Sequence, residues 1–252
     1  MTPDLTGIEA IFIDDGGVMN DNECRGQQYL QYLPEYFVPR LGGKAEAWQA
    51  ANTVVATRQY EEFISGTGFP EQGGYRDAGR KMAIEWIREQ CDIVGVDAPQ
   101  DDESCVRMTR EAHLYVATRS DCNYPGVVEA IRMLHRDGYR LYTASGTDLF
   151  LLKAHLTKSG VLELFTQTYG PDLIDTHKGS RHYYEGVLAD SGESPSTALF
   201  LDDSEKSVGW IVEAGARGVL VSPEQPDNSE AIAVLAALSE LPDFLASQRD
   251  GR

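Results

Sequence analysis

The chain has 252 residues, 42% hydrophobic and 25% charged, a globular composition long enough to bury a sizeable core. Its formal net charge is −18 and its sequence pI about 4.6, which argues against nucleic acid and anionic membranes as partners. The same charge repels anionic substrates, so a phosphate site here needs a local cation.

Residues 8–14, IEAIFID, are apolar, β-branched and end in acids, which predicts a buried parallel strand with chemistry at its carboxyl end. Three helical-period segments follow, at 44–63, 76–91 and 103–118, with the loop GTGFPEQGG (66–74) between the first two. From residue 124 the pattern alternates. Pro125 opens a helix that runs to Gly138, and YRLYTAS (139–145) reads as a strand. Thr147 or Asp148 caps a helix reaching about Ser159. LFTQTYG (164–170), TALFLDD (197–203) and RGVLVS (217–222) read as strands, separated by helices over 181–192 and KSVGWIVEAGA. The tail SEAIAVLAALSELPDFL reads as helix. Such alternation implies an α/β fold with a doubly wound parallel sheet, whose ligands sit beyond the carboxyl ends of the strands. The helical stretch interrupts that core after its first strand, which predicts a core of residues 1–19 and 121–252 with an inserted α-helical cap over 20–120.

The N-terminal MTPDLTGIEA has neither the basic nor the apolar region of a signal peptide, and the chain has no apolar run of bilayer length. A cytoplasmic protein is therefore expected. Cys24, Cys91, Cys105 and Cys122 form no CxxC pair and read as reduced thiols.

Asp14 and Asp15 end one predicted strand, and Asp202 and Asp203 end another. Carboxylates crowded at one sheet edge repel unless a cation or proton sits among them, and hard oxygen ligands suit magnesium. A carboxylate also serves as a nucleophile. Lys178 on a nearby loop can offset charge there, and Ser145 at a strand end can donate to a phosphoryl oxygen.

Four segments in order resemble the motifs of the haloacid dehalogenase superfamily: AIFIDDGGVMND, GYRLYTASG, HKGSRHYYEGVL and ALFLDDSEKSVGWIVEAGARGVLV. YPGVVEAIRMLHRDGYRLY also looks like the usual approach to the second. The first is of a DxGGV type. The resemblance implies a Rossmann-like core and a hydrolase in which Asp14 attacks the electrophile. Ser145 would bind the transferring group, Lys178 would orient Asp14, and magnesium would be held by Asp14, the carbonyl of Gly16, Asp202 and Asp203. Gly146, Arg58 and Tyr60 are expected to face a small, phosphorylated substrate. The implied reaction is magnesium-dependent hydrolysis of a phosphate ester through an aspartyl-phosphate.

One departure is plain. Phosphatases of the superfamily usually carry an aspartate two residues after the nucleophile, and here that position is Gly16, a DxGGV pattern that some members share. Asp15 and Asp21 are the nearby acids, although Asp15 should face away across the strand. The same resemblance leaves 2-haloacid dehalogenase chemistry open. Tyr184 lies six residues after Lys178, a spacing dehalogenases share, and Arg58 is the candidate clamp for a substrate carboxylate. Phosphonatase chemistry would require Lys44 or Lys81 as a Schiff-base lysine, and a catalytically weak phospho-ligand-binding protein is the reading from another class. His113 and His182 read as structural, as does His177, whose position next to Lys178 also makes it a minor functional candidate. The sequence is compatible with a homodimer.

Overall fold

The computed structural model describes residues 5–224 and 230–250. Strand β1 (Ala10–Ile13) lies between β2 (Arg140–Thr143) and β4 (Ala198–Asp202). With β3 (Phe165–Gln167), β5 (Arg217–Val221) and β6 (Ala233–Leu235) they form a parallel six-stranded sheet of order β3-β2-β1-β4-β5-β6. Both faces are covered by helices, which is why the strands are continuous apolar runs rather than alternating ones. On one face Ile11, Ile13, Leu141, Leu199 and Leu201 pack against α5 (Val127–Arg136) and the C-terminal helix Leu241–Asp250. On the other, Phe12 stacks between Tyr142 and Phe200, at 4.6 and 4.3 Å between ring centroids. Two helices cover that face, Arg181–Ser191 and Glu205–Glu213.

Register fixes what leaves the sheet edge. Ile13 is paired with both Thr143 and Leu201, so Asp14 and Asp202 emerge from adjacent strands at one level. Strand order reverses between β1 and β4, the place where doubly wound sheets bind ligands.

Between β1 and β2 stand four helices: α1 (Asn22–Leu41), α2 (Ala45–Ser65), α3 (Tyr75–Val94) and α4 (Asp102–Ala117). They share their own buried cluster, with Phe37 stacked on Trp48 at 4.5 Å. The last three match the sequence periodicity, whereas α1 carries Pro34 and Pro39 in its interior, each deleting a helical N–H. Asp21 caps α1 by accepting from the N–H groups of Glu23 and Cys24. After β2 come α6 (Leu149–Lys158) and the short α7 (Pro171–Ile174), so the helices already placed at Arg181–Ser191, Glu205–Glu213 and Leu241–Asp250 are α8, α9 and α10.

Two expectations are corrected. The tail does not form one helix: residues 233–235 pair in parallel with β5 as the edge strand β6, and helix resumes only at Leu241. Open ladder groups on β5 override the helix propensity of the Ala- and Leu-rich stretch. Ser229, where that predicted helix begins, lies outside the described residues. The cysteines are not all free thiols either, because Cys24 and Cys122 form a disulfide with Cα atoms 5.7 Å apart. The two crossings between sheet and helical block run side by side there, and the Asp21 N–H donates to the Cys122 carbonyl at 2.8 Å. Cys91 and Cys105 are free and buried. Among the described residues no helix is long and apolar enough to cross a membrane.

Candidate active site

The carboxyl ends of β1, β2 and β4 and the loop before α8 deliver Asp14, Ser145, Asp202, Asp203 and Lys178 to one cavity of about 660 Å³. Asp14 is 6% exposed. Its Oδ1 accepts the N–H of Asp15 at 2.7 Å and its Oδ2 lies 2.7 Å from Lys178 Nζ. The same ammonium is 2.8 Å from Asp202 Oδ2, which also accepts the Tyr184 hydroxyl at 3.3 Å. Asp202 Oδ1 takes the Ser204 N–H at 3.0 Å. Ser145 Oγ accepts the Thr147 N–H at 3.1 Å, leaving its own hydrogen free to donate. Gly17 has φ 79° and lies so close to the Asp203 carboxylate that any Cβ would collide with it. Only glycine serves at that position.

Charge is unbalanced at this edge. Asp14, Asp202 and Asp203 offer carboxylate oxygens within 4.8 Å of one another. Burial drives the Asp14 carboxyl up, Lys178 opposes it, and Asp202 and Asp203 add to it, leaving it at about 7. Burial and Asp202 likewise raise Asp203. Burial disfavours the Lys178 ammonium, but Asp14 and Asp202 outweigh it and hold its pKa well above the usual value. Lys206 sits at the rim over the Trp210 ring. With all three ionised, the carboxylates against one contacting ammonium leave two negative charges in excess, an oxygen-rich cluster fitted to a hard divalent cation.

Asp15 faces the opposite side of the sheet, fully buried. There it accepts from Asn20 at 2.7 Å, Arg25 at 2.9 Å and Thr147 at 3.2 Å. Burial would raise its pKa, but Arg25 and the hydrogen bonds of His155 and Asn20 hold it well below the usual carboxylate range. Asp21 is engaged as the cap of α1. Neither stands in for the acid absent at Gly16.

That place is filled by Asn22, which sequence reading passed over. A Cβ on Gly16 would stand 2.6 Å from Asn22 Oδ1. The Asn22 side chain lines the cavity and has no hydrogen-bond partner among the described residues. The signal that finds it is the missing side chain itself, since a glycine at 16 leaves room for a neighbour.

Gly16, Gly146 and Tyr60 line the cavity, Tyr60 at 64% exposure on α2. Arg58 is not brought to it. Its guanidinium pairs with Glu62 one turn along α2, at 2.7 Å, and with Glu89 of α3, at 2.6 Å. Lys44 precedes α2, and Lys81 pairs with Glu85 at 3.7 Å; neither lines the cavity. His177 is stacked on Phe69 at 4.4 Å, and burial lowers its pKa to about 4. His113 bonds the Tyr29 hydroxyl at 2.7 Å and is lowered by burial to about 4. His182 pairs with Glu185 on the surface of α8.

The sequence matches the haloacid dehalogenase-like hydrolase family over residues 8–215. Among solved structures it is similar to the L-2-haloacid dehalogenase of Xanthobacter autotrophicus with chloropropionic acid covalently bound. That match has 15% identity and TM-score 0.60, over 95% of this chain and 98% of the other. The 2-haloacid dehalogenase of Pseudomonas syringae pv. Tomato DC3000 matches at 14% identity and TM-score 0.64, over 95% and 99%. YfnB of Bacillus subtilis, assigned to the HAD-hydrolases and bound to magnesium, matches at 14% and 0.67, over 94% and 98%. Likeness at this identity establishes the fold alone. No curated protein matches the sequence.

Proposed function

The chain belongs to the haloacid dehalogenase-like hydrolases, and we propose that it is a magnesium-dependent phosphatase that cleaves a small phosphate ester through an aspartyl-phosphate on Asp14. The observation that carries this reading is the trio Asp14, Asp202 and Asp203, whose oxygens lie within 4.8 Å with one ammonium in contact. A reaction on a neutral carbon–halogen bond has no use for two further carboxylates beside its nucleophile. When bound, magnesium held by Asp14, the Gly16 carbonyl, Asp202 and Asp203 supplies positive charge for the transferring phosphoryl.

The chain's own groups divide the remaining work. Lys178 fixes Asp14 Oδ2 and takes up part of its charge. Ser145 donates its hydroxyl hydrogen to a phosphoryl oxygen. Tyr184 holds Asp202 in place. Asn22 reaches the position that an acid at residue 16 would occupy and donates a hydrogen bond to the leaving oxygen, but it has no proton to give. General acid catalysis is worth roughly 10²–10⁴ in rate, so esters whose leaving group departs unprotonated are favoured. Helices α1 to α4, within residues 20–120, act as the cap that closes over the core and excludes water.

The second reading is carbon–halogen cleavage by the same nucleophile. Gly16 favours it, since a halide leaves without a proton, while the engagement of Arg58 by Glu62 and Glu89 removes the expected carboxylate clamp. A panel of phosphate monoesters and 2-haloacids, assayed with magnesium and with chelator, separates the two. Phosphate release that needs the metal and disappears in Asp14→Asn supports the proposal. Halide release that persists in chelator overturns it.

A further inference from the structure

A second cavity, of about 580 Å³, lies between the helical block and the sheet. It meets the Asp14 cavity at Arg25, Phe63, Gly146 and Thr147, which line both. Resting on the phosphatase reading, we propose that this cavity holds the body of the substrate, and that the substrate is an aryl phosphate monoester bearing a second anionic group.

Size is the first argument. Pockets of roughly 300–1,000 Å³ accommodate drug-sized ligands, and this one far exceeds what a three-carbon acid fills. Its chemistry is the second. Tyr29, Phe63, Trp86 and Phe150 offer aromatic surface, with Met82 and Val106 beside them. Flat rings stack on such walls in offset or edge-on contact.

Cations in the cavity supply the third argument. Arg25 is bound to Asp15, Arg76 to the carbonyls of Asp172 and Leu173, and Arg80 to Glu103. Arg110 differs. Its guanidinium lies 4.6 Å from the centroid of Phe150 and makes no hydrogen bond or ion pair among the described residues. The facing acid, Asp148, feels the Arg110 charge and accepts the Tyr75 hydroxyl at 2.9 Å, but burial and Asp172 outweigh both and raise its carboxyl to about 6. An exposed, stacked guanidinium whose donors make no hydrogen bond among the described residues can receive an anion, the local cation that a chain of net charge −18 needs for one.

The leaving group agrees with this. With no acid at residue 16, an alkoxide is expelled poorly, whereas a phenol with a pKa near that of tyrosine, about 10, departs as its anion. Asp14 Oδ bonds to phosphorus as the phosphorus–oxygen bond to the ring breaks. The electron pair leaves on the phenolate, which takes its proton from solvent. Water then attacks the phosphorus of the aspartyl-phosphate, releasing inorganic phosphate and restoring the carboxylate.

The test uses the intact protein and two arms. In the first, 6-hydroxy-2-naphthoate and 2-naphthol are titrated calorimetrically. The naphthoate is expected to bind about tenfold tighter than the naphthol, and Arg110→Ala to erase that difference, with Arg110→Lys recovering part of it. In the second, the phosphate ester of the naphthoate is compared with glycerol 3-phosphate in the presence of magnesium. Its kcat/KM is expected to be about 100-fold higher, and Arg110→Ala to raise its KM about tenfold. Equal turnover of the two esters, or an unchanged naphthoate affinity in Arg110→Ala, overturns the assignment of the cavity. Tight naphthoate binding without turnover of any phosphate overturns the phosphatase reading, and the ester with it, but not the ring-and-anion site.

Discussion

The carboxyl edge of the sheet and the cavity beneath the helical block are built by different means. At the edge, backbone register places the groups: Asp14 and Asp202 stand level because Ile13 is paired with Leu201. Asp14, Asp202 and Lys178 are held there by short polar contacts. In the cavity, side chains from α1, α2, α3, α4 and α6 meet through packing, each element giving a few residues at helical spacing. The edge carries the groups proposed to do the chemistry. The cavity carries those proposed to select what is presented to it.

That contrast can be broken most directly at the edge. Asp14→Asn is expected to lower phosphate release by at least about 10³-fold, with naphthoate affinity retained, as measured by steady-state kinetics and calorimetry. Next is the double variant Gly16→Asp with Asn22→Gly. Gly16→Asp alone collides with Asn22, but with that amide removed a carboxyl can occupy the position. Turnover of glycerol 3-phosphate is then expected to rise by roughly 10²-fold, which would make the site indifferent to leaving group and leave selection to the cavity. Lys178→Met strands Asp14 and Asp202 without their cation. A loss of about 3–5 kcal/mol in chelator is expected from denaturant titration, with part recovered by magnesium.

The smallest expected effect sharpens the description of the cavity. Burial holds His113 neutral, at about 4 against 6.5 for the free side chain. As pH falls below 6.5 the unfolded chain takes up a proton that the folded chain refuses until about 4. Stability is therefore complete above 6.5 and declines across that interval. His113→Gln should flatten the decline by up to about 3 kcal/mol in acid denaturation. An unchanged slope would place His113 in water rather than in the apolar wall.

Legibility in the sequence follows the same division. The core strands were legible because buried parallel strands are unbroken apolar runs, and a period of two already turned Asp15 away from Asp14. The convergence of residues 14, 145, 178, 202 and 203 was legible because four of them end or follow strands at one sheet edge and Lys178 lies on the loop leading into a helix. Helix α1 was hidden by Pro34 and Pro39, and β6 by a composition that suits helix until an open edge is present to pair with. Arg58 was misplaced because its competitors are neighbours in space: Glu89 lies on another helix. Asn22 and Arg110 carry no motif, since their meaning lies in an absent side chain and in the lack of a partner.

The bond between Cys24 and Cys122, 98 positions apart, closes the whole helical block into a ring whose clasp lies where the chain enters and leaves the sheet. Cutting the loop at 66–74 would then leave both pieces tethered, and separating them would take a reductant as well as a protease.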